Sequence, residues 1–368
     1  MSQTVPGIPQ LLGAIQPDAV VAARYTLLAP IDEGGCGQVW RALQQDNPTL
    51  VAIKFPRPDL GADQRERFAS ELQILKHLPK HPHLVQLLDE GVFEGQPFLV
   101  MEYFPKTLSA WLNEHQAARR LPDLFTVYRL FAQICDAVGA AHRLAIPIIH
   151  RDINPRNIML YEDPLQGLSA KVLDFGIGRI GKRLHTQTGE CIGTPGYMSP
   201  EQLSGDAEHV GTSSDVFSLG VLAYVMLCLE HPLTGANTHR KDVPGQIWDV
   251  IATATNPQRA LRYNDARALR TAWLNSIEFV YNITSHELAS AMTQATKERA
   301  SLSQAGSDGV VAMQMEEQET EKIRQEVTKI TAQPIEPAAV TVRSSSSPKL
   351  LWDVQRMRLW WKRFHDSA

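Results

Sequence analysis

Short apolar runs with β-branched and aromatic residues fill the first part of the chain, and longer helix-like stretches follow them. Phe68, Leu72 and Leu75 lie four and three residues apart, which predicts a helix over about 63–78 with one apolar face. Strands followed by helices, up to about Phe279, predict an α+β protein with two lobes. The predicted strands cover Tyr25–Leu28, Gln38–Leu43, Val51–Phe55, Leu84–Asp89 and Phe98–Met101.

The composition changes on both sides of this central region. Residues 1–24 hold three prolines and are predicted to form an extended leader. The two predicted lobes cover 25–101 and 105–279 and together form one domain over 25–279. Residues 280–348 join a charged helix candidate to a stretch rich in proline and serine, which is typical of a linker. The final segment, 349–368, is basic and rich in tryptophan.

Composition excludes several classes of protein. The formal net charge of −4 gives no basic field for nucleic acid, so no nucleic-acid partner is expected. The four cysteines are far apart in sequence, which disfavours a zinc site or a disulfide framework. The start of the chain does not resemble a secretory signal, and no apolar run approaches the roughly 20 residues that span a bilayer. These features together predict a cytoplasmic protein.

The first candidate for phosphate chemistry is a glycine-rich turn between two predicted strands, which contains Gly34 and Gly37. Glycines in such a hairpin let backbone N–H groups approach phosphate without a Cβ clash, although ordinary tight turns share the pattern. Lys54 follows inside an apolar strand, where a buried ammonium needs a partner. Glu71, on the predicted helix, can supply it. Alone, these two residues are equally compatible with a structural ion pair.

Further along, His150–Asn157 contains an aspartate and two asparagines, and an apolar strand follows it. Asp152 can accept a proton from a hydroxyl group. Asn157 and Asp174 offer hard oxygen ligands that suit Mg²⁺ beside phosphates. Each short motif is common by chance, but their order and spacing together are not.

In this order and spacing the motifs resemble the eukaryotic-type (Hanks-type) serine/threonine protein kinases, over about 25–273. The resemblance implies the bilobal protein-kinase fold, with a small β-rich N-lobe carrying one helix and a larger helical C-lobe. It implies transfer of the γ-phosphate of ATP, with Mg²⁺ or alternatively Mn²⁺, to serine or threonine of protein substrates, including the kinase itself. The Asn-Pro-Arg-Asn catalytic loop resembles bacterial members of the family.

The resemblance also implies roles for individual residues. Asp152 would be the catalytic base, with Arg151 before it and Asn154 near the γ-phosphate. Lys54 would hold the α- and β-phosphates while paired with Glu71. Asn157 and Asp174 would bind the metal. The residues that would contact ATP are Gly34, Gly37, Val39, Ala52, Lys54, Met101, Glu102, Phe104 and Met159.

A later segment, Gly193–Glu201, resembles the end of a protein-kinase activation segment. Within the resemblance, Glu201 would pair with Arg262, and Asp215 would hold the catalytic loop from below. Small-molecule kinases lack this closing segment, which disfavours them. Because Thr194 lies in a Gly-Thr-x-x-Tyr context, the resemblance implies serine/threonine rather than tyrosine specificity.

Three positions depart from the family pattern. Asp32 replaces the first glycine of the phosphate loop, and Cys36 replaces the usual aromatic residue at its tip. Asn154 stands where these kinases usually carry a lysine that touches the γ-phosphate. The loss of a charged hydrogen bond predicts a slower enzyme. The alternative hypothesis is a catalytically weak, ATP-binding pseudokinase scaffold that recruits partners through its C-terminal tail.

Two further segments suggest regulation. Thr186 and Thr188 lie in the middle of the activation segment, and the family resemblance implies that Arg151 binds a phosphate placed there. Drawn as a helix, Lys349–His365 has an aromatic and aliphatic stripe flanked by basic residues. This tail suits either a protein partner, the kinase's own lobe included, or an anionic membrane surface, which would place the protein peripherally at a membrane.

Overall fold

A computed structural model describes residues 15–34, 37–56, 62–164, 167–175, 195–232 and 240–281. Most of the predicted leader, together with the linker and the basic tail, lies outside these residues. The described part forms two lobes, a curled β-sheet with one helix and a larger helical lobe. The predicted bilobal α+β fold is therefore confirmed.

The N-lobe is a six-stranded antiparallel sheet with strand order β1-β2-β3-β4-β6-β5. Opposite residues in antiparallel strands share a face, so the register separates two sets of side chains. Trp40 and Ile53 face a buried apolar core, while Val39 and Lys54 face the opposite side. The elements are β1 (Val20–Val21), β2 (Tyr25–Gly34), β3 (Gly37–Gln44), β4 (Thr49–Phe55), α1 (Ala62–His77), β5 (Leu87–Phe93) and β6 (Gln96–Glu102).

The sheet curls so that its two ends meet. The hydroxyl of Tyr25 on β2 donates to Asp89 on β5 at 2.8 Å, and Arg24 donates to the same carboxylate oxygen at 2.7 Å. Burial, together with this hydrogen bond to Asp89, raises the pKa of Tyr25 to about 12. The sheet also begins before Tyr25, because fully buried Val21 pairs with that residue and adds the short strand β1.

The C-lobe is built around α3 (Leu124–His142) and α5 (Thr212–Cys228), whose buried faces pack with α6 (Gly245–Ala254) and α7 (Ala266–Tyr281). Among the described residues, α3 alone has the length and apolar composition of a membrane span, but 72% of that stretch is buried inside the fold. Trp273 on α7 is fully buried against Tyr128 and Phe131 of α3. The lobe also contains α2 (Leu108–Ala117) and α4 (Pro200–Leu203).

A small second sheet lies between the lobes, with order β7-β8-β9 (Lys106–Thr107, Ile158–Asp163 and Gly167–Val172). The loop after α1 joins this sheet: Val85 N–H donates to the carbonyl of Val172 at 3.0 Å, and Val172 N–H donates to that of His83 at 2.8 Å. The expected strand at Leu84–Asp89 is therefore displaced. Leu84 bridges to β9, and β5 begins only at Leu87.

Candidate active site

The catalytic loop ends in a short 3-10 turn, Pro155–Asn157. Asn154 caps this turn, because its Oδ1 accepts a hydrogen bond from the backbone N–H of Arg156 at 2.9 Å. Its Nδ2 donates to the carbonyl oxygen and to Oδ1 of Asp152, both at 3.0 Å. Nδ2 of Asn157 donates to Oδ2 of Asp152 at 3.0 Å. Two amides thus fix the plane of the Asp152 carboxylate.

The placement of Asn154 differs from the sequence expectation. Asn154 was expected to reach the γ-phosphate, but the residue is only 3% exposed and both polar atoms of its side chain bond within the loop. The physical reason is length: a short amide side chain bonds the backbone two residues away, which a lysine in the same position cannot do. Asn154 therefore acts on the loop itself.

Asp215, at the start of α5, holds the catalytic loop from below, as expected. Its carboxylate accepts hydrogen bonds from the backbone N–H groups of His150 at 2.7 Å and Arg151 at 2.8 Å. His142 contacts it through Nε2 at 2.9 Å. Arg151 has a positive φ of 67°, an uncommon conformation that these charge-assisted hydrogen bonds stabilise. Burial lowers the pKa of His150, whose ring packs on Phe175.

The two expected metal ligands are brought together at the end of β9. The backbone N–H of Leu173 donates to the carbonyl of Asn157 at 2.9 Å, which places Asp174 beside the catalytic loop. Asp174 has a φ of 56°, and its side chain is 40% exposed. The described residues contain no cluster of three carboxylate, histidine or cysteine ligands. One carboxylate and one amide oxygen suit Mg²⁺, which usually takes its other ligands from phosphates and water.

Lys54 on β4 and Glu71 on α1 form the expected ion pair, with Nζ 2.5 Å from Oε1. Both side chains are largely buried. Lys54 also lies 3.7 Å from Oδ1 of Asp174, so one ammonium faces two carboxylates. Burial raises the pKa of Glu71, while the charge of Lys54 acts in the opposite direction. The pair joins α1 to the sheet and holds a largely buried cation beside Asp174.

The face of the sheet that carries Lys54 also carries the residues expected to cover adenine. Ala52 lies two residues before Lys54 and directly opposite Met101, while Val39 is opposite Lys54 itself. Gly37 can only be glycine, because an added Cβ would lie 2.3 Å from the carbonyl oxygen of Phe55. Gly34 pairs with Gly37 and completes the described part of the hairpin.

The sequence patterns did not identify two residues of this region. Ile31 lies at an irregularity in β2 and is 45% exposed, an unusual position for an aliphatic side chain before a glycine turn. Lys171 on β9 is largely buried, and its Nζ lies 2.7 Å from both carboxylate oxygens of Glu102. It also lies 5.4 Å from the centre of the Phe104 ring. The signal that identified Lys54 was a lysine within an apolar strand, and Lys171 fits the same description.

The expected pair of Glu201 and Arg262 is present and buried. Arg262 donates to both carboxylate oxygens at 2.8 and 3.0 Å, and Ser214 donates to one of them at 2.6 Å. Burial alone would raise the pKa of Glu201, but the hydrogen bonds from Arg262 and Ser214 outweigh it and leave that pKa lowered. The pair ties the end of the activation segment to the C-lobe.

Three expected regulatory residues, Thr186, Thr188 and Thr194, lie outside the described residues, as does Cys36. The described part of the site thus brings together the remaining expected groups. Ion pairs join Lys54 to Glu71 and to Asp174, and a hydrogen bond joins Asn157 to Asp152. The backbone hydrogen bond from Leu173 to Asn157 places the two groups side by side.

A family model described as the protein kinase domain matches residues 25–311. The chain belongs to the protein kinase family. Serine/threonine-protein kinase A of Synechocystis sp. is 34% identical over 230 residues, which are 60% of this chain and 43% of that protein. Serine/threonine-protein kinase PknL of Mycobacterium tuberculosis is 32% identical over 272 residues, 68% of this chain and 65% of that protein. The chain thus spans less than two thirds of either relative.

Among solved structures, the PknI kinase domain of M. tuberculosis superposes with a TM-score of 0.53 at 23% identity. The match covers 72% of this chain and 99% of that domain. This likeness concerns the fold. The named relatives are bacterial serine/threonine kinases, in agreement with the resemblance of the catalytic loop to bacterial members.

Proposed function

We propose that the protein is a serine/threonine protein kinase that transfers the γ-phosphate of ATP to proteins, including itself, with Mg²⁺ or Mn²⁺. The observation that carries the proposal is the placement of Lys54, Glu71 and Asp174 beside Asp152 and Asn157. Protein-kinase chemistry requires a base, a phosphate-binding cation and oxygen ligands for a metal within one cleft. The serine/threonine kinases among the relatives support the choice of acceptor.

In the proposed reaction, the oxygen of a serine or threonine hydroxyl forms a bond to the γ-phosphorus. The bond from that phosphorus to the bridging oxygen of ADP breaks, and the hydroxyl proton passes to Asp152. The amides of Asn154 and Asn157 hold the Asp152 carboxylate in one orientation. Lys54, positioned by Glu71, binds the non-transferred phosphates. Asn157 and Asp174 would hold the metal ion, which supplies neutralisation of phosphate charge when bound.

Transfer of radiolabel from γ-labelled ATP tests this proposal. We expect the full chain to label itself and a generic protein substrate on serine or threonine, and we expect Asp152→Ala to lose labelling while still binding ATP. The scaffold alternative predicts ATP binding without transfer in both proteins. Absence of label in the wild type, with ATP binding intact, would contradict the kinase proposal.

We further propose that a phosphate on Thr186 or Thr188 activates the enzyme through Arg151. Within the described residues, the Nε of Arg151 is buried and has no hydrogen-bond partner. Burial lowers the pKa of this guanidinium, so an anion beside it would be stabilising. Full activity after replacement of both threonines by alanine would contradict this mechanism.

We propose a cytoplasmic protein whose tail, Lys349–His365, binds a protein surface, either the kinase's own lobe or a partner. The alternative is peripheral binding to an anionic membrane. Co-sedimentation of the full chain, and of a chain ending at residue 348, with neutral and anionic liposomes separates the two. Tail-dependent binding to anionic liposomes alone would favour the membrane.

A further inference from the structure

Arg156 stands out in the catalytic loop because its guanidinium is not used by the loop. Asn154 and Asn157 direct their amides to Asp152, and Pro155 is buried. Arg156 is exposed, and within the described part of the chain its guanidinium has neither a hydrogen bond nor an ion pair. The loop therefore presents one solvated cation beside the base.

The backbone beneath that cation is held in place. The N–H of Arg156 donates to Oδ1 of Asn154 at 2.9 Å, while the same asparagine donates to Asp152. Asn154 thereby fixes the start of the Arg156 side chain relative to the carboxylate of the base. The family lysine that Asn154 replaces would put its charge toward the phosphate. Here residue 154 is neutral and buried, and the exposed positive charge of the loop lies two residues later.

The direction of Arg156 follows from the geometry of the turn. Successive residues of a 3-10 helix project about 120° apart. Because Asn157 points to Asp152 and Pro155 points into the lobe, Arg156 takes the third direction, toward solvent. The side chain of Asn157 points in a different direction, toward the side on which Asp174 and the proposed metal site lie. Arg156 is therefore placed for the protein substrate rather than for ATP.

A substrate must bring its hydroxyl to Asp152, so the residues beside the acceptor cross the surface of this loop. An extended peptide advances about 3.3 Å per residue, which places the neighbours of the acceptor within reach of a long side chain. Arginine presents a planar set of donors that matches a carboxylate. Resting on the proposed kinase function, we propose that Arg156 selects substrates with an aspartate or glutamate within about two residues of the phosphorylated serine or threonine.

Steady-state phosphorylation of matched peptides by the full chain tests this inference. One peptide has an alanine-flanked serine, and others carry a single aspartate or a single lysine at each of the two positions on either side. The wild type should prefer at least one aspartate peptide by about two- to fivefold in kcat/KM, the range of an exposed ion pair. In Arg156→Gln this ratio should fall to about one, and in Arg156→Glu the lysine peptide should become the better substrate. The preference should shrink as salt is added.

Arg267→Glu provides a matched control, because Arg267 is also exposed but lies on α7. It introduces the same charge change and should keep the wild-type ratio. Equal rates of the wild type on acidic and neutral peptides would overturn the inference while leaving the kinase proposal intact. A rise in the KM for ATP, with all peptides slowed alike in Arg156→Gln, would instead assign Arg156 to ATP and also overturn it. No transfer to any peptide would overturn both proposals.

Discussion

Replacing Arg262 by methionine should destabilise the C-lobe strongly, because the change leaves the carboxylate of Glu201 buried without its counter-ion. The guanidinium side chain is fully buried and the Glu201 side chain is 8% exposed. Arg262 also donates to backbone carbonyl oxygens, including that of Asn256 at 2.6 Å. Breaking a buried pair from one side costs about 3–5 kcal/mol. For a domain of this size, that cost lowers Tm by about 6–20 °C.

The pair between Lys76 and Glu90 is the matched control, since its atoms are 2.6 Å apart but both side chains are 38% exposed. Lys76→Met should cost less than about 1 kcal/mol, because an exposed ion pair is screened by water. Thermal unfolding of the two variants and the wild type measures both costs. Removing both partners of the buried pair, as in Glu201→Gln with Arg262→Met, should recover part of the loss, since no buried charge then remains.

The pH dependence gives an independent check on this reasoning. The pKa of Glu201 is lowered in the folded protein, so its ionised form contributes stability above the unfolded pKa, about 4.3. That contribution is lost as the pH falls through the lower, folded pKa. In Arg262→Met, burial without the counter-ion favours the protonated form of Glu201, so the carboxyl of the variant takes up a proton at a higher pH than that of the wild type. The difference in stability between the wild type and Arg262→Met should therefore shrink progressively as the pH falls. Equal losses in Arg262→Met and Lys76→Met would refute the argument from burial.

Three further predictions concern the site and the N-lobe. Asp32→Gly should tighten ATP binding by about two- to fivefold at low salt, measured by titration, because an exposed carboxylate in the phosphate loop is removed. An effect that persists in high salt would contradict the electrostatic reason. Asn154→Ala should lower kcat by about tenfold, because the carboxylate of Asp152 loses a hydrogen bond that orients it. A rise in the KM for ATP with kcat unchanged would contradict this role. Ala22→Asn with Ala23→Gly should stabilise the fold by about 1 kcal/mol in thermal unfolding. The reason is that both alanines lie in a tight turn with positive φ values, 51° and 53°. An unchanged Tm would show that the turn is not strained.

The sequence motifs predicted those contacts that depend on which residue types occur and on their order along the chain. The pairs Lys54–Glu71 and Glu201–Arg262 are both present, although the second joins residues that are far apart in sequence. Asp215 also lies beneath the catalytic loop as expected. These contacts could be anticipated because charged groups within apolar segments require partners, and the family resemblance indicates which ones.

Side-chain packing accounts for what the sequence did not predict. The role of Asn154 depends on which atoms lie within reach of a short amide, and no pattern in the chain specifies that. The contact of Lys171 with Glu102 required knowledge of how β9 passes the end of β6, where Glu102 lies. The displaced start of β5 has a similar cause, since Leu84 is fully buried and bridges to β9 of the small second sheet. Local preferences cannot specify such long-range pairings.

The backbone bridge between the loop at residues 83–85 and β9 has a mechanical consequence. Within the described residues, the backbone joins the N-lobe to the C-lobe through the chain segment after β6 and through the hydrogen bonds between this loop and Val172. Two attachment points define an axis, so the lobes can rock about the line between them more easily than they can twist or slide. Such rocking would move Gly37 and the rest of the glycine hairpin toward or away from Asp152, while the end of the cleft beside Glu102 stays nearly still. The two backbone connections therefore favour opening of the cleft by rotation about the line that joins them.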